Sequence, residues 1–299
     1  MKPVVSILIP VYNVRDYIIR CLDSVAAQSY DGAMECILVD DCGTDGSIVE
    51  AQSYIDQYKG NVVFRIVHHV RNRGLAAARN TGVAAATGDF VMHLDSDDWL
   101  DPYAVEHLVK KQLETDADIV SGRALRHLDI GTIVLDDAPY ETNMDLVRIS
   151  IRRNYDHVIW RRLIRTALYR DQGIETVEGI NVGEDHYTLP RLAYYARKVA
   201  KVDDIVYHYN SMNPNSYMGR KSQKINMKRF KNDYASLLIL SDFFADKKKS
   251  LLFELYWIRL VFLFKKICQS ISMVDMEACT SMLKYAFCPN SLKREYGLI

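Results

Sequence analysis

Residues 90–99 read Phe90-Val91-Met92-His93-Leu94-Asp95-Ser96-Asp97-Asp98-Trp99. A short apolar run breaks into three acids within four residues, the pattern of a buried strand that ends at a polar edge. Two runs upstream end in a related way. Val4-Val5-Ser6-Ile7-Leu8-Ile9 is closed by Pro10, and Cys36-Ile37-Leu38-Val39 by Asp40-Asp41. Residues 62–67 supply a further strand. Residues 15–28 place Ile18, Ile19, Leu22, Val25 and Ala26 at helical spacing. Residues 47–58 read as a second helix capped by Asp45 or Ser47, and the Ala-rich residues 74–86 as a third. Strands separated by single helices imply right-handed βαβ units and a mostly parallel sheet. Open α/β sheets bind ligands beyond the carboxyl ends of their strands, so three strand ends deliver Pro10, Asp40-Asp41 and Asp95-Asp98 to one edge.

Pro102 opens a helix that runs to about Glu114, and Ile119-Val120 begins another strand. From about residue 126 to 215 the periodicity loosens into loops and short helices. From Ser222 onward the pattern is helical. Turn formers cluster at Asn213-Pro214-Asn215-Ser216, which places a joint there. The expected division is an α/β domain over 1–215 and a helical extension over 216–299. Within the first, 1–125 holds the regular strand–helix alternation and 126–215 the looser part.

The chain has 299 residues, with Lys plus Arg and Asp plus Glu both at 38. That balance gives no reason to expect nucleic acid as a partner. The charge is uneven, however: residues 220–299 carry 15 Lys and Arg against 7 Asp and Glu. A basic tail points to a negative neighbour such as a membrane face, or to a solvated helical face. Residues 251–264 are apolar nearly all round, broken by Glu254 and Arg259 and flanked by Lys247-Lys248-Lys249 and Lys265-Lys266. The stretch is too short to span a bilayer. Burial, pairing between two subunits or contact with a membrane interface would each suit it. None of the six cysteines forms a C-x-x-C pair, and Met1-Lys2-Pro3-Val4 does not open a secretory leader, so a reducing cytoplasmic location is expected, with peripheral contact at the inner membrane face as its variant.

Carboxylates at a rigid strand end suit a hard divalent cation that neutralises a diphosphate. The Asp95–Asp98 cluster is one such place; a solvated acidic turn is the plainer alternative. Upstream stand Ile9-Pro10-Val11-Tyr12-Asn13, Val39-Asp40-Asp41-Cys42-Gly43-Thr44-Asp45-Gly46-Ser47 and Asn72-Arg73-Gly74-Leu75-Ala76-Ala77-Ala78-Arg79-Asn80-Thr81-Gly82. Gly74 lets backbone approach a flat group. Arg79 would face a diphosphate or form a structural ion pair. The position after the first strand holds no G-x-G-x-x-G and no basic glycine-rich loop, which argues against a nicotinamide-dependent oxidoreductase and against a nucleotidyltransferase.

Taken in order over residues 4–100, these segments resemble the inverting family 2 glycosyltransferases. That pattern runs close to P-x-Y-N, V-D-D-G-S-T-D-G-S, N-x-G-L-x-x-A-R-N-x-G and D-x-D-D. One departure is Cys42-Gly43 in place of Gly-Ser. The resemblance implies a GT-A fold, a Rossmann-like mostly parallel sheet flanked by helices, and a nucleotide-sugar donor, expected to be a UDP-sugar. It implies that Pro10 and Asp41 line the base pocket, with Asn72 and Gly74 beside them. Asp95 would approach the ribose or a metal-bound water, and Asp97 would ligate Mn²⁺ or Mg²⁺. Tyr12, Asn13, Arg79 and Ser96 complete the expected donor set. Inversion needs a carboxylate to take the acceptor hydroxyl's proton. The family's acidic pair before a helix matches Glu184-Asp185, so Asp185 is the expected base, Glu184 its support, and a simple helix cap the alternative. His208, in Val206-Tyr207-His208-Tyr209-Asn210, is a further candidate metal or phosphate contact, with a structural histidine as the plainer role. Trp160, Arg161 and Arg162 are candidates for the acceptor side. The acceptor is expected to be a glycan or a lipid-linked glycan of a bacterial envelope. A protein that kept the fold and lost the chemistry is the alternative.

Overall fold

In a computed structural model the described residues are 2–152, 157–214, 227–272 and 276–299. Among them, nine strands form one sheet: β1 Val5–Val11, β2 Met34–Asp40, β3 Val63–His68, β4 Phe90–His93, β5 Trp99–Leu100, β6 Ile119–Leu128, β7 Gly131–Leu135, β8 Arg162–Arg165 and β9 Val199–Asn210. Eleven helices are described: α1 Arg15–Ala26, α2 Ser47–Gln57, α3 Leu75–Ala85, α4 Ala104–Thr115, α5 Asn143–Arg152, α6 Thr166–Arg170, α7 Glu184–Tyr195, α8 Met227–Phe244, α9 Lys249–Ser272, α10 Met276–Phe287 and α11 Pro289–Glu295. The main path of the sheet is β3-β2-β1-β4-β8-β6-β9-β5, with β7 paired to β6.

The first four strands are parallel and the chain reverses its winding between β1 and β4. A crevice opens at such a switch point, beyond the carboxyl ends. Here it lies between the end of β1 and the acids after β4. Pro10 does not close β1 as expected; the strand continues through it to Val11. The geometry explains the tolerance. Leu8 and Pro10 point their backbones to the β4 side, and the last hydrogen bond there is Leu94 N–H to Leu8 O. The donor that proline lacks would have faced a strand that has already ended.

Alternate strand residues feed opposite faces of the sheet. Leu8, Ile37, Val39, Val91, Ile119 and Ile164 belong to one apolar cluster with residues of α3, α5, α7, α8 and α9. Ile7, Ile9, Cys36, Leu38, Met92, Val120 and Leu163 belong to the other, with α1, α2 and α4. The near-continuous apolar strands follow from this, because both faces are covered. The helices from α8 onward thus share a core with the sheet. Phe230, Tyr234, Leu238, Leu251 and Leu255 are buried in the same cluster as Leu8 and Val91. The expected division at 215/216 lies outside the described residues, as do Asn215, Ser216 and the expected helix start at Ser222.

Residues 126–214 are more regular than their periodicity indicates. They hold β7, α5, β8, α6, α7 and the 12-residue β9. Arg161 and Arg162 are fully buried and form ion pairs with the equally buried Asp137. Trp160 packs on Tyr207 and Tyr209 with ring centroids 4.4 and 5.7 Å apart. These three residues build the core rather than an acceptor surface.

Candidate active site

Three loops meet at the switch point. The β4–β5 loop is shaped by its own acids. Asp98, 1% exposed, accepts from the Tyr207 hydroxyl at 2.7 Å and from the Asn210 N–H at 2.7 Å. The Tyr207 oxygen in turn accepts from the Asp95 N–H at 3.1 Å. Asp98 therefore clamps the loop to β9. Burial, with Asp97 and Asp95 adding, holds its pKa well above the usual carboxylate range. Ser96 is buried beside it. Asp97 remains at the crevice, its Oδ2 accepting from Asn213 at 2.7 Å. Burial raises its pKa; Asn213 opposes that and Asp95 adds to it. Arg20 donates to the Asp97 carbonyl at 3.2 Å and lies 3.8 Å over the Trp99 ring.

A second loop is held by Asp41. Its Oδ1 accepts from the Arg73 N–H and its Oδ2 from the Gly74 N–H, both at 2.7 Å, and His69 Nδ1 lies 2.7 Å from Oδ1. Asn72 donates to the Asp41 carbonyl at 3.1 Å. The carboxylate expected to face a base is 3% exposed and spent on backbone. That corrects its expected place: it shapes the pocket's loop rather than projecting into it. Asn13 likewise turns inward, with φ at 53°, and its Oδ1 accepts from the Thr44 N–H at 2.7 Å. Tyr12 is 46% exposed at the mouth and Pro10 is half-buried behind it. Cys42 sits at φ 60°, a left-handed conformation that costs a non-glycine residue about 1–2 kcal/mol. Its thiol lies 3.1 Å from the His69 carbonyl. The helix after this loop has Gly46 at its cap; Asp45 Oδ1 accepts from the Ser47 N–H at 3.0 Å.

The third part is the start of α7. Gly183, at φ 80°, precedes Glu184 and Asp185 in the first turn. Arg79, 2% exposed by side chain, reaches Asp95 at 3.0 Å, Glu184 at 3.2 Å and Asp185 at 4.0 Å. Burial alone would lower the guanidinium's pKa, but Asp95, Asp185 and Glu184 outweigh it and hold it above its ordinary value. Arg79 is thus an ion-pair hub, not a free arm toward a diphosphate. Asp185 Oδ1 is buried with no hydrogen-bond partner among the described residues. Burial, then Glu184, push the Asp185 pKa well up, against the pull of Arg79.

Several residues that carry this arrangement are silent in the sequence. Asn181 Oδ1 accepts from the Ala76 N–H at 3.0 Å and so caps α3 from outside. A Cβ on Gly74, at φ 86°, would fall 2.2 Å from the Asn181 amide. The close neighbour that requires this glycine is protein. Thr176 and Asn80 exchange hydrogen bonds of 2.7 and 2.8 Å, and Arg73 pairs with Glu178 at 2.9 Å. The segment leading to α7 is strapped along α3. Ser236 of α8 donates to the Gly183 carbonyl at 3.2 Å, bracing the loop from behind.

His208 does not join Asp97. Successive β9 side chains point to opposite faces. Tyr207 faces Asp95 and Asp98, so His208 faces away, stacked on Trp99 with ring centroids 5.1 Å apart and 3.0 Å from His127. Burial, then His127, lower its pKa. Among the described residues no three His, Cys, Asp or Glu side chains form a ready metal cage. Asp97 nevertheless fits a hard cation. It offers carboxylate oxygen, and the burial that raises its pKa is a cost a cation would offset. The remaining oxygen ligands would come from diphosphate and water, as is common for Mg²⁺-like ions.

A doubly wound sheet with acids at its switch point and a buried carboxyl pair at a facing helix start is the GT-A type of fold. A family model described as glycosyl transferase family 2 matches residues 6–163, more than half of the chain. Glycosyltransferase GlyA of Streptococcus pneumoniae is 31% identical over 222 residues, covering 69% of this chain and 30% of that protein. The uncharacterized glycosyltransferase EpsJ of Bacillus subtilis is 31% identical over 225 residues, covering 72% of this chain and 63% of its own. The chain therefore spans less than two thirds of the length of these relatives. The crystal structure of S. aureus TarS 1-349 in complex with UDP superposes with a TM-score of 0.68 at 20% identity, over 87% of this chain and 71% of that one. The chain belongs to glycosyl transferase family 2.

Proposed function

We propose that the chain transfers a sugar, with inversion, from a UDP-sugar to a hydroxyl of a glycan or lipid-linked glycan, with Mn²⁺ or Mg²⁺ at Asp97. Residues 1–215 carry the reaction, 1–125 holding the donor and 126–215 the acceptor, while 216–299 brace it. The observation that carries the proposal is Asp185: a buried carboxyl whose Oδ1 has no hydrogen-bond partner among the described residues, set at a helix start beside the acids after β4.

Tyr12 offers a flat exposed ring to a base at the pocket mouth. Asp41, Asn13 and Asn72 hold the two loops that form its walls, with the Gly74 N–H as a donor to Asp41 and Pro10 and Ser96 on the adjoining strand-end segments. Asp95 lies between Arg79 and the crevice, where a ribose hydroxyl or a metal-bound water would meet it. A bound cation would neutralise charge on the diphosphate. Arg79 holds Asp185 and Glu184 in place, and Asp185 accepts the acceptor hydroxyl's proton. TarS, crystallised with UDP, supports the choice of nucleotide. Envelope glycan synthesis suits a lipid-linked acceptor.

Asp185→Asn tests the proposal. Turnover should fall by about 10²–10⁴-fold, the usual range for a general base, while UDP affinity stays unchanged. Full turnover in this variant would remove Asp185 as base.

A further inference from the structure

We propose that the outward face of α9 docks on an anionic lipid surface. The inward face of this helix is buried: Leu251 and Leu255 are fully covered, and Leu263 is 8% exposed. The other face carries Phe253, Tyr256, Trp257, Leu260, Val261 and Phe264, spaced by three, one, three, one and three residues. That is one continuous helical stripe. Phe264 is 71% exposed, Phe253 63% and Trp257 52%. The stripe spans about 16 Å along the helix axis at 1.5 Å per residue. Water-facing aromatics in such an unbroken row mark an interaction site rather than ordinary surface scatter.

The charges around the stripe select the occupant. Both charged residues within it turn away. Glu254 pairs with Arg148 at 3.6 Å and Arg152 at 3.2 Å, and Arg259 donates to the Tyr234 hydroxyl at 3.2 Å. The exposed Lys247, Lys248 and Lys249 stand at one end, and exposed Lys265 with half-buried Lys266 at the other. A second copy of the chain fits poorly. Antiparallel pairing would set the first lysine group against the second, and parallel pairing would set each group against itself. Pairing aligned along the helix axis in either sense brings cation to cation, whereas an anionic surface satisfies both ends at once. Trp and Tyr favour the interfacial zone of a bilayer, where ring and polar atom are both accommodated. Among the described residues no helix is long and apolar enough to cross a membrane, so the contact is parallel to the surface.

Flotation of the purified chain with phosphatidylcholine vesicles, with and without phosphatidylglycerol, tests this. The chain should float with the anionic vesicles and stay behind with the neutral ones. Lys248→Gln with Lys249→Gln should weaken binding by about fivefold per lysine. Trp257→Ser with Phe264→Ser should weaken it by at least about tenfold. Both variants should keep UDP affinity, which reports an intact fold independently of the lipid. Equal flotation with both vesicles, flotation with neither, or unchanged binding in the variants would overturn the assignment. So would a sedimenting dimer of the wild-type chain that the Trp257→Ser, Phe264→Ser variant dissociates, since the stripe would then belong to a second copy.

Discussion

Replacing Arg79 with methionine should unfold the site from within. The guanidinium is 2% exposed and spans Asp95, Glu184 and Asp185 at 3.0, 3.2 and 4.0 Å. Methionine fills similar space but leaves two buried carboxyls, and half-buried Asp95 beside them, without their cation. Breaking a buried ion pair by removing one partner costs about 3–5 kcal/mol. Against a typical total of about 5–15 kcal/mol, that is a large share. The cost should depend on pH. Glu184 and Asp185 already have raised pKa values, chiefly from burial, and losing Arg79 raises them further. A carboxyl whose folded pKa exceeds its unfolded one contributes stability below the unfolded value and loses it as pH climbs through the folded one. The deficit should therefore be small at about pH 5 and larger at about pH 7.5. Urea unfolding of both proteins at the two pH values measures it. A loss under about 1 kcal/mol at neutral pH, or one that does not grow with pH, would refute the ion-hub account.

Other consequences follow from the same geometry. In the wild type, kcat/KM should fall on the acid side with an apparent pKa above that of an ordinary aspartate, because burial disfavours ionised Asp185; a pH–rate profile checks this. Gly74→Ala should cost about 1–3 kcal/mol from its positive φ alone. Adding Asn181→Ala removes the contact but not the backbone strain, so thermal melting should show a partial rescue and never a full one. Tyr207→Phe strands the Asp95 N–H and one oxygen of buried Asp98. Urea titration should show a loss of about 1–3 kcal/mol.

The strand–helix order and the crevice were legible because both sheet faces are buried, which makes β1, β2 and β4 read as plain apolar runs. The later strands were not. β9 mixes buried Val206 and Tyr207 with exposed Asp203 and Asp204, and no short period distinguishes it from a loop. The acids of the site were visible as a cluster, but their partners were not. Asn181 lies 105 residues from Ala76, and Asn213 lies 116 from Asp97. A lone asparagine carries no local sign of such a role. His208 misled because its neighbour Tyr207 takes the inward face, and strand register is set by pairing with Trp99 rather than by composition. Asp41 and Gly74, both read from the sequence as pocket residues, serve each other: the carboxylate binds the glycine's N–H, and the glycine makes room for Asn181. In α9, apolar residues all round concealed a division into one packed face and one open face.

Isothermal titration of UDP in the presence of Mn²⁺, beside UDP with EDTA, on the wild type and on Asp97→Ala, tests the donor site most directly. Binding that requires both the metal and Asp97 is the expected result. UDP binding that is equally strong with EDTA or in Asp97→Ala would contradict the placement of a cation there, and no UDP binding under any condition would contradict the donor.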